Sequence, residues 1–145
     1  MTRILALMCT ALLAAGPAPA AESGGDAAKG EAEFRKCRAC HSIVGGDGEV
    51  IFRGGRNGPN LWGVAGRQAG SLADFNYSPD MVRAGEAGLV WSEAEFRRYT
   101  QDPRGYLGDY LGDDGAKSYM TFRLKSGAED IWAYLVSVGP DAAGE

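Results

Sequence analysis

The sequence predicts an all-α domain of about five short helices joined by long loops. Capping residues precede five short amphipathic segments, and no segment has the pattern of a β-strand. Glycine makes up 22 of the 145 residues, so much of the chain is turn and loop. Aromatic residues are numerous, with three Trp, six Tyr and five Phe. Long aliphatic side chains are too few to form a complete core, so we expect a large, flat, apolar ligand to complete it.

The first twenty residues have the three parts of a secretory signal peptide. Arg3 supplies a positive charge, an apolar stretch covers residues 4–15, and small residues at 18–20 precede the expected cleavage point. About 12 apolar residues span about 18 Å as a helix, too short for the roughly 30 Å hydrocarbon core of a membrane. We therefore predict a cleaved signal peptide at 1–20 and a single domain at 21–145, exported to a compartment outside the cytoplasm.

The first helix of the domain should begin at Asp26, an N-cap candidate, and run to about Arg38. Gly30 lies inside it, where glycine costs about 1 kcal/mol relative to alanine. A close contact with another helix would explain that glycine. The next segment, residues 42–70, is rich in glycine without a sustained period, so we expect a long ordered loop. Loops of this length in a small domain are usually functional.

Four further helices are predicted from residues that can cap them. Their candidate N-caps are Ser78, Ser92, Asp102 and Ser126. The second helix should run through Arg83, the third should end where the fourth begins, and the fourth should end at Gly112. The last has the clearest signature, because Ser126 and Glu129 form a capping-box pattern and Gly139 is followed by proline.

Charge and the supply of metal-binding side chains exclude several classes of function. The chain has 15 basic and 19 acidic residues, a formal charge of −4; losing Arg3 with the leader leaves 14 against 19, or −5. An acidic protein of this size is not a general nucleic-acid binder. His41 is the only histidine, and Cys9 leaves with the leader, so the mature chain keeps Cys37 and Cys40 alone. Two-histidine metal sites and Cys2His2 zinc fingers are therefore excluded.

The segment Cys37-Arg38-Ala39-Cys40-His41 is a C-x-x-C-H motif, the haem-attachment pattern of c-type cytochromes. Thiols three residues apart on one helical turn can both reach the vinyl groups along one side of a porphyrin, and the next residue places its imidazole under the iron. A zinc site would need a carboxylate as its fourth ligand, a thioredoxin-like pair needs a βαβ setting, and a disulfide here would close a very small loop. We expect one haem c, attached covalently through both cysteines.

The sixth position of the iron decides what the haem can do. With no second histidine, the iron is either ligated by His and Met or has an open face, as in a five-coordinate, peroxidase-like enzyme or sensor. Outside the leader the methionines are Met81 and Met120. Met81 falls in a short amphipathic helix, where core packing is the ordinary explanation. Met120 lies in a loop before the last helix, which can deliver a thioether opposite His41.

These residues resemble a class I cytochrome c, and specifically the cytochrome c₂ family of purple phototrophic and related bacteria. The similarity covers nearly the entire mature chain, and its most specific parts are the GPNL segment at 58–61 and the MTF segment at 120–122. The resemblance implies the class I cytochrome c fold, with long loops wrapped around one covalently bound haem. It also implies that the first and last helices cross, with Gly30 and Phe34 against Tyr134 and its neighbours.

Some further site residues are implied by the resemblance alone. The carbonyl of Pro59 would accept the ring N–H of His41 and fix the orientation of this ligand. Arg67, Tyr77 and Trp91 would neutralise or hydrogen-bond a haem propionate, because buried carboxylates are otherwise costly.

The remaining implied residues surround the sixth ligand. The resemblance makes Met120 that ligand, and with His41 it completes the predicted pair of metal ligands. Tyr99 would lie near its sulfur, Ser118 belongs to the same SYMTFRL segment, and Phe122 would lie beside the exposed haem edge; for the aromatics, simple core packing is the alternative. The sequence departs from the family at Tyr119, which replaces the lysine usually found before the ligand.

The resemblance implies a soluble periplasmic electron carrier, not an enzyme. Its donor would be a cytochrome bc₁-like complex and its acceptor a photosynthetic reaction centre or a cytochrome oxidase, with the mature protein a monomer that is not inserted in the membrane. Redox partners of this kind meet through small docking surfaces. The cationic side chains that would form the docking rim are Arg35, Lys36, Lys117, Arg123 and Lys125. Few lysines and an acidic total indicate an isoform with its own partner preference.

Overall fold

A computed structural model describes residues 24–140 of the chain as five α-helices, a 3₁₀ turn and a small hairpin. The helices are α1 (Ala27–Glu33), α2 (Pro79–Glu86), α3 (Glu93–Gln101), α4 (Pro103–Leu111) and α5 (Ala128–Ser137). The predicted leader at 1–20 lies outside the described residues. None of the helices within 24–140 has the length and apolar character needed to span a bilayer.

Side chains cap four of the five helices where the sequence predicted. Each accepts a hydrogen bond from a backbone N–H in the first turn, and the caps are Asp26, Ser78, Ser92 and Asp102. Gly112 ends α4 in the left-handed conformation, with φ of 62°. Local sequence therefore determines where these four helices begin.

Three helix ends differ from the prediction. The second helix, α2, continues to Glu86 instead of ending at Arg83. The α-helical part of α1 stops at Glu33 and continues as a 3₁₀ turn over Phe34–Lys36, instead of reaching Arg38 as α-helix. The prediction that Ser126 caps α5 was wrong, because Gly127 occupies the cap position with φ of 86°. This left-handed φ is one that glycine adopts without strain, and a Cβ at Gly127 would also lie 2.9 Å from Oε2 of Glu33 in α1.

A short hairpin interrupts the loop predicted over residues 42–70. Its strands are β1 (Ile43–Val44) and β2 (Val50–Phe52), paired antiparallel. The prediction of no strand was wrong here, because strands of two and three residues are too short to show an alternating pattern. The side chain of Asn60 fixes the hairpin to the rest of the loop: it accepts the N–H of Val44 at 3.0 Å and donates to its carbonyl at 2.8 Å.

The first and last helices cross at Gly30, which confirms the close contact inferred from that glycine. A Cβ at Gly30 would lie 1.9 Å from the carbonyl oxygen of Asp130 and 2.7 Å from Cβ of Tyr134, so only glycine permits this approach. Phe34, one turn further on, is fully buried, with its ring centroid 5.9 Å from that of Tyr134 and 4.8 Å from that of Phe52. The crossing therefore fixes the chain just before Cys37.

The remaining core is built from α2 to α5. The rings of Phe96 and Trp132 lie 5.5 Å apart between α3 and α5, and Leu107 of α4 is fully buried. Met81 is also buried, in α2, as expected for a methionine with a packing role. The core is thus rich in aromatic side chains, as the composition predicted.

Substituting Gly30 tests the crossing. Gly30→Ala adds a methyl group where a carbonyl oxygen already lies, so the free energy of unfolding should fall by about 3 kcal/mol or more, although alanine is the better helix former by about 1 kcal/mol. Gly24→Ala is the matched control, since its Cβ would meet only Oε1 of Glu93 at 3.8 Å. Denaturant unfolding of both variants measures the difference; equal stability would contradict the account of the crossing.

Candidate functional site

The C-x-x-C-H motif forms a single tight turn directly after the 3₁₀ segment. The N–H groups of Cys40 and His41 both donate to the carbonyl of Cys37, at 3.1 and 3.0 Å. Both cysteines are free thiols. Cys37 is partly buried, and burial raises the pKa of its thiol to about 11, whereas Cys40 is exposed. The turn therefore presents a partly buried, protonated thiol at Cys37, an exposed thiol at Cys40 and an imidazole at His41 from one short stretch of chain.

His41 is held in one orientation by the backbone of the next loop. Its Nδ1 lies 2.8 Å from the carbonyl oxygen of Pro59, which can only accept, so Nδ1 carries the proton and Nε2 is left as the basic nitrogen. Burial lowers the pKa of His41 against the opposing effect of that hydrogen bond, which favours the neutral imidazole that binds metals. The contact implied for Pro59 is present in the structure.

Glycines in the loop at residues 42–70 allow its backbone to lie against the C-x-x-C-H motif. The N–H of Gly55 donates to the carbonyl of Arg38 at 2.9 Å, and that of Gly58 donates to the carbonyl of Cys40 at 2.8 Å. A Cβ at Gly58 would lie 2.4 Å from Cε1 of His41, so the backbone of Gly58 contacts the imidazole ring. No role for Gly58 is predicted from the sequence, where its position just before Pro59 is the available signal.

Met120 lies in the irregular segment between α4 and α5, and Ser118 fixes its backbone. Oγ of Ser118 accepts the N–H of Met120 at 3.1 Å and shares a hydrogen bond with the hydroxyl of Tyr99 at 2.9 Å. Tyr99 is buried in α3, and burial raises its pKa to about 12, so the hydroxyl stays protonated at neutral pH. The half-buried side chain of Met120 packs against the core. Three residues predicted for the site thus lie together.

Arg67 and Trp91 form a second group that adjoins Tyr99. The guanidinium of Arg67 donates to two backbone carbonyls in residues 60–62, both at 3.0 Å, and burial lowers its pKa. The backbone N–H of Trp91 donates to the backbone carbonyl of Arg67 at 2.9 Å. The ring centroid of Trp91 lies 5.1 Å from that of Tyr99. Burial raises the pKa of Tyr77, and the nearby charge of Arg67 opposes this rise. The structure therefore brings these predicted residues together.

Two aromatic side chains beside Met120 point outward. Tyr119 is 63% exposed and Phe122 is 43% exposed, both high values for aromatic residues. Exposed cations flank them at Lys117 and Arg123. This surface combines apolar rings with positive charge.

The side chains present fit a covalently attached haem. One turn supplies two thiols and a neutral imidazole, and a separate loop supplies a thioether. Partly buried apolar side chains, among them Leu61, Tyr77 and Met120, lie against the core and offer contact to a flat ring. Within residues 24–140, no three or more His, Cys, Asp or Glu side chains are grouped so that they could hold a metal ion, so this part of the chain offers no ligand cluster for the zinc alternative.

No protein-family model matches the chain. Individual relatives do: the chain is 54% identical over 138 residues to cytochrome c-551 of Roseobacter denitrificans, covering 95% of this chain and 96% of the relative. It is 46% identical over 135 residues to cytochrome c₂ of Rhodobacter capsulatus, covering 93% and 96%.

Solved structures give the same result. Cytochrome c₂ from Rhodobacter capsulatus superimposes with a TM-score of 0.76 at 48% identity, covering 79% of this chain and 98% of that one. Cytochrome c₂ from Paracoccus denitrificans superimposes with a TM-score of 0.79 at 44% identity, covering 81% and 99%. The likeness therefore extends over nearly the whole length of each of these structures.

The contact between Gly58 and the imidazole can be tested by substitution. Gly58→Ala places a methyl group on the ring, so it should displace His41 from Pro59 and break the 2.8 Å hydrogen bond. Nitrogen-15 NMR of the imidazole should then lose the signature of a protonated, hydrogen-bonded Nδ1. Asn57→Ala, at the exposed neighbouring position, is the control and should leave the imidazole spectrum unchanged. An unchanged spectrum in the Gly58 variant would contradict this view of the site.

Proposed function

Because the chain belongs to the cytochrome c₂ family of class I c-type cytochromes, we propose that it is a periplasmic one-electron carrier with a His41/Met120-ligated haem. The class I cytochrome c fold predicted from the sequence is confirmed by the solved relatives. The chain is an electron-transfer protein of the c-type class and not an enzyme. Membership implies a covalently bound c-type haem, which supplies the redox chemistry when bound; in the proposal, Cys37 and Cys40 attach one haem c.

The observation that carries the proposal is the hydrogen bond between His41 and Pro59 on the turn that bears both thiols. It fixes the tautomer, leaves Nε2 free, and prevents the ring from rotating. A ligand held in this way needs little rearrangement when the charge at the metal changes. His41 is accordingly the proposed proximal ligand.

Met120 is the proposed second ligand. Its backbone is bound to Ser118, which is bound in turn to the protonated hydroxyl of Tyr99. Thioether ligation favours the reduced metal and raises the reduction potential relative to a second imidazole. A filled sixth position also excludes small exogenous ligands, which distinguishes a carrier from the alternative, a five-coordinate haem enzyme or sensor.

Arg67 has the environment expected of a cation that faces a propionate. Its guanidinium is largely desolvated and bonded to backbone carbonyls, and none of the ion pairs among residues 24–140 includes it. A desolvated charge without an anionic partner is costly, and a propionate would supply that anion. Tyr77 and Trp91, grouped with Arg67, are proposed to bind the same carboxylate.

The proposed setting follows from the family and the leader. Residues 1–20 would direct export and be removed, and residues 21–145 would act in the periplasm as a monomeric single domain outside the membrane. The proposed donor is a cytochrome bc₁-like complex, and the proposed acceptor is a reaction centre or a cytochrome oxidase. These partners are the ones that the family resemblance implies.

The proposed docking rim is less positive than the number of its cations indicates. Lys36 is paired with Glu33, and Arg123 with Asp102 at 2.8 Å. Exposed Tyr119 and Phe122 lie in the same stretch of chain as three of the rim cations, so short-range apolar contact contributes beside charge. Long-range charge should therefore accelerate the encounter with an acidic partner only moderately.

Replacing each of the two described methionines by leucine in turn separates iron ligation from core packing. Met120→Leu keeps the side-chain volume but removes the thioether, so the oxidised protein should lose the weak near-infrared charge-transfer band of methionine-ligated iron and should bind cyanide readily. Met81→Leu is the matched control; it should keep the band and cost less than about 1.5 kcal/mol of unfolding free energy. Retention of the band in Met120→Leu, or cyanide binding by the unaltered protein, would overturn the His/Met proposal.

The docking rim predicts a salt dependence. The bimolecular rate with a purified bc₁-like donor should fall as ionic strength rises, because salt screens charges separated by more than about 10 Å at 0.1 M. Lys125→Gln should lower the rate at low salt more than Arg97→Gln, which removes a cation already paired with Glu129 on α5. A rate independent of salt would contradict the assignment of this rim.

A further inference from the structure

The chain leading to Met120 is tied to α2 through one carboxylate. Oδ2 of Asp80, in the first turn of α2, accepts the backbone N–H of Lys117 at 2.8 Å. Oδ1 of the same side chain accepts a hydrogen bond from Nη1 of Arg83 at 2.7 Å. Asp80 and Lys117 are 37 residues apart, whereas Lys117 precedes Met120 by only three. The bond is therefore a long-range link that acts close to the proposed ligand.

Arg83 extends this link to the turn at the start of the segment. Its Nη1 also lies 3.1 Å from Oδ2 of Asp113, whose Oδ1 accepts the N–H of Gly115 at 3.0 Å. The N–H of Ala116 donates to the carbonyl of Asp113 at 3.0 Å, and Ala116 is buried. We name Asp80, Arg83 and Asp113 the α2 clamp.

Asp80 is the central residue of the α2 clamp. Its side chain is only 16% exposed, against 50% for Arg83 and 40% for Asp113, and its two oxygens bind different partners. Hydrogen bonds to a charged group are stronger than those between neutral groups, and shielding from solvent reduces their screening. Loss of this carboxylate would release Lys117 and Arg83 together.

Other contacts hold the segment at different points. Ser118 is bound to Tyr99 of α3, and Arg123 to Asp102 at the start of α4. The N–H of Leu124 donates to the carbonyl of Thr100 at 2.8 Å. The α2 clamp acts upstream of all of these, where the segment leaves the turn after α4.

We propose that Asp80 is a positioning residue for Met120, and that the α2 clamp limits how often residues 113–120 open and release the thioether. This inference rests on the proposed ligation by Met120. Its effect is on the opening equilibrium of the segment, and Asp80 itself touches neither ligand. Local opening of this kind governs both amide exchange and the access of external ligands.

The test uses imidazole as the probe on the oxidised, haem-loaded full chain. Asp80→Ala should accelerate imidazole association at least about tenfold, because it removes the charge-assisted hydrogen bonds to both Lys117 and Arg83. Asp80→Asn keeps an oxygen for Lys117 but loses the charge that holds Arg83, so it should give a smaller increase. Arg97→Gln, which breaks the exposed pair with Glu129 at 3.6 Å, is the control and should bind at the unaltered rate.

Amide hydrogen exchange gives a readout that does not depend on the iron. Asp80→Ala should expose the N–H of Lys117 to faster exchange and leave that of Leu124 protected, since the latter bonds to Thr100. If Asp80→Ala fails to fold, Asp80→Asn and Arg83→Gln carry the same comparison. Unchanged imidazole binding together with unchanged protection at Lys117 would overturn the clamp.

Met120→Leu separates this inference from the proposal on which it rests. Slow imidazole binding by the unaltered protein and fast binding by Met120→Leu would show that Met120 fills the position, and the Asp80 variants then decide the role of the clamp alone. If Met120→Leu binds imidazole no faster than the unaltered protein, the ligation proposal and the clamp inference both fail.

Discussion

The imidazole of His41 is held in its orientation by the backbone around it. The carbonyl of Pro59 accepts the Nδ1 proton at 2.8 Å, and the backbone of Gly58 contacts the ring where a Cβ would overlap it. This arrangement depends on the crossing of α1 and α5, since the close approach at Gly30 fixes the turn that carries the motif. The glycine-rich loop then closes against that turn. A single backbone geometry thus determines the position of both thiols and of the proposed proximal ligand.

The two proposed ligands come from unlike surroundings. His41 belongs to a hydrogen-bonded turn packed against a loop, whereas Met120 belongs to a segment without regular secondary structure. That segment is held at separate points by α2, α3 and the start of α4. An irregular segment of backbone that several side chains hold can be well ordered in the folded state and still open locally. Such a design suits a ligand that must stay bound through each electron transfer.

Local signals in the sequence predicted much of this structure. Asp26, Ser92 and Gly112 act where their residue types indicated, because caps depend on the nearest turn of backbone. The failures have a different origin. Gly127 replaces Ser126 as the cap of α5 because the chain enters this helix through a left-handed φ that glycine favours, and the hairpin strands are too short to produce a periodic signal.

The candidate site, like the fold, could be predicted from the sequence in part. The C-x-x-C-H motif shows itself in the sequence, and the family resemblance supplied the remaining residues. The bond from Asp80 to Lys117 gave no signal, since it joins positions 37 residues apart through one ordinary carboxylate. X-ray absorption at the iron edge of the haem-loaded protein shows whether Met120 completes the coordination of the iron. We expect one sulfur scatterer beside the porphyrin and imidazole nitrogens; a shell of nitrogen and oxygen alone would mean that Met120 is not a ligand.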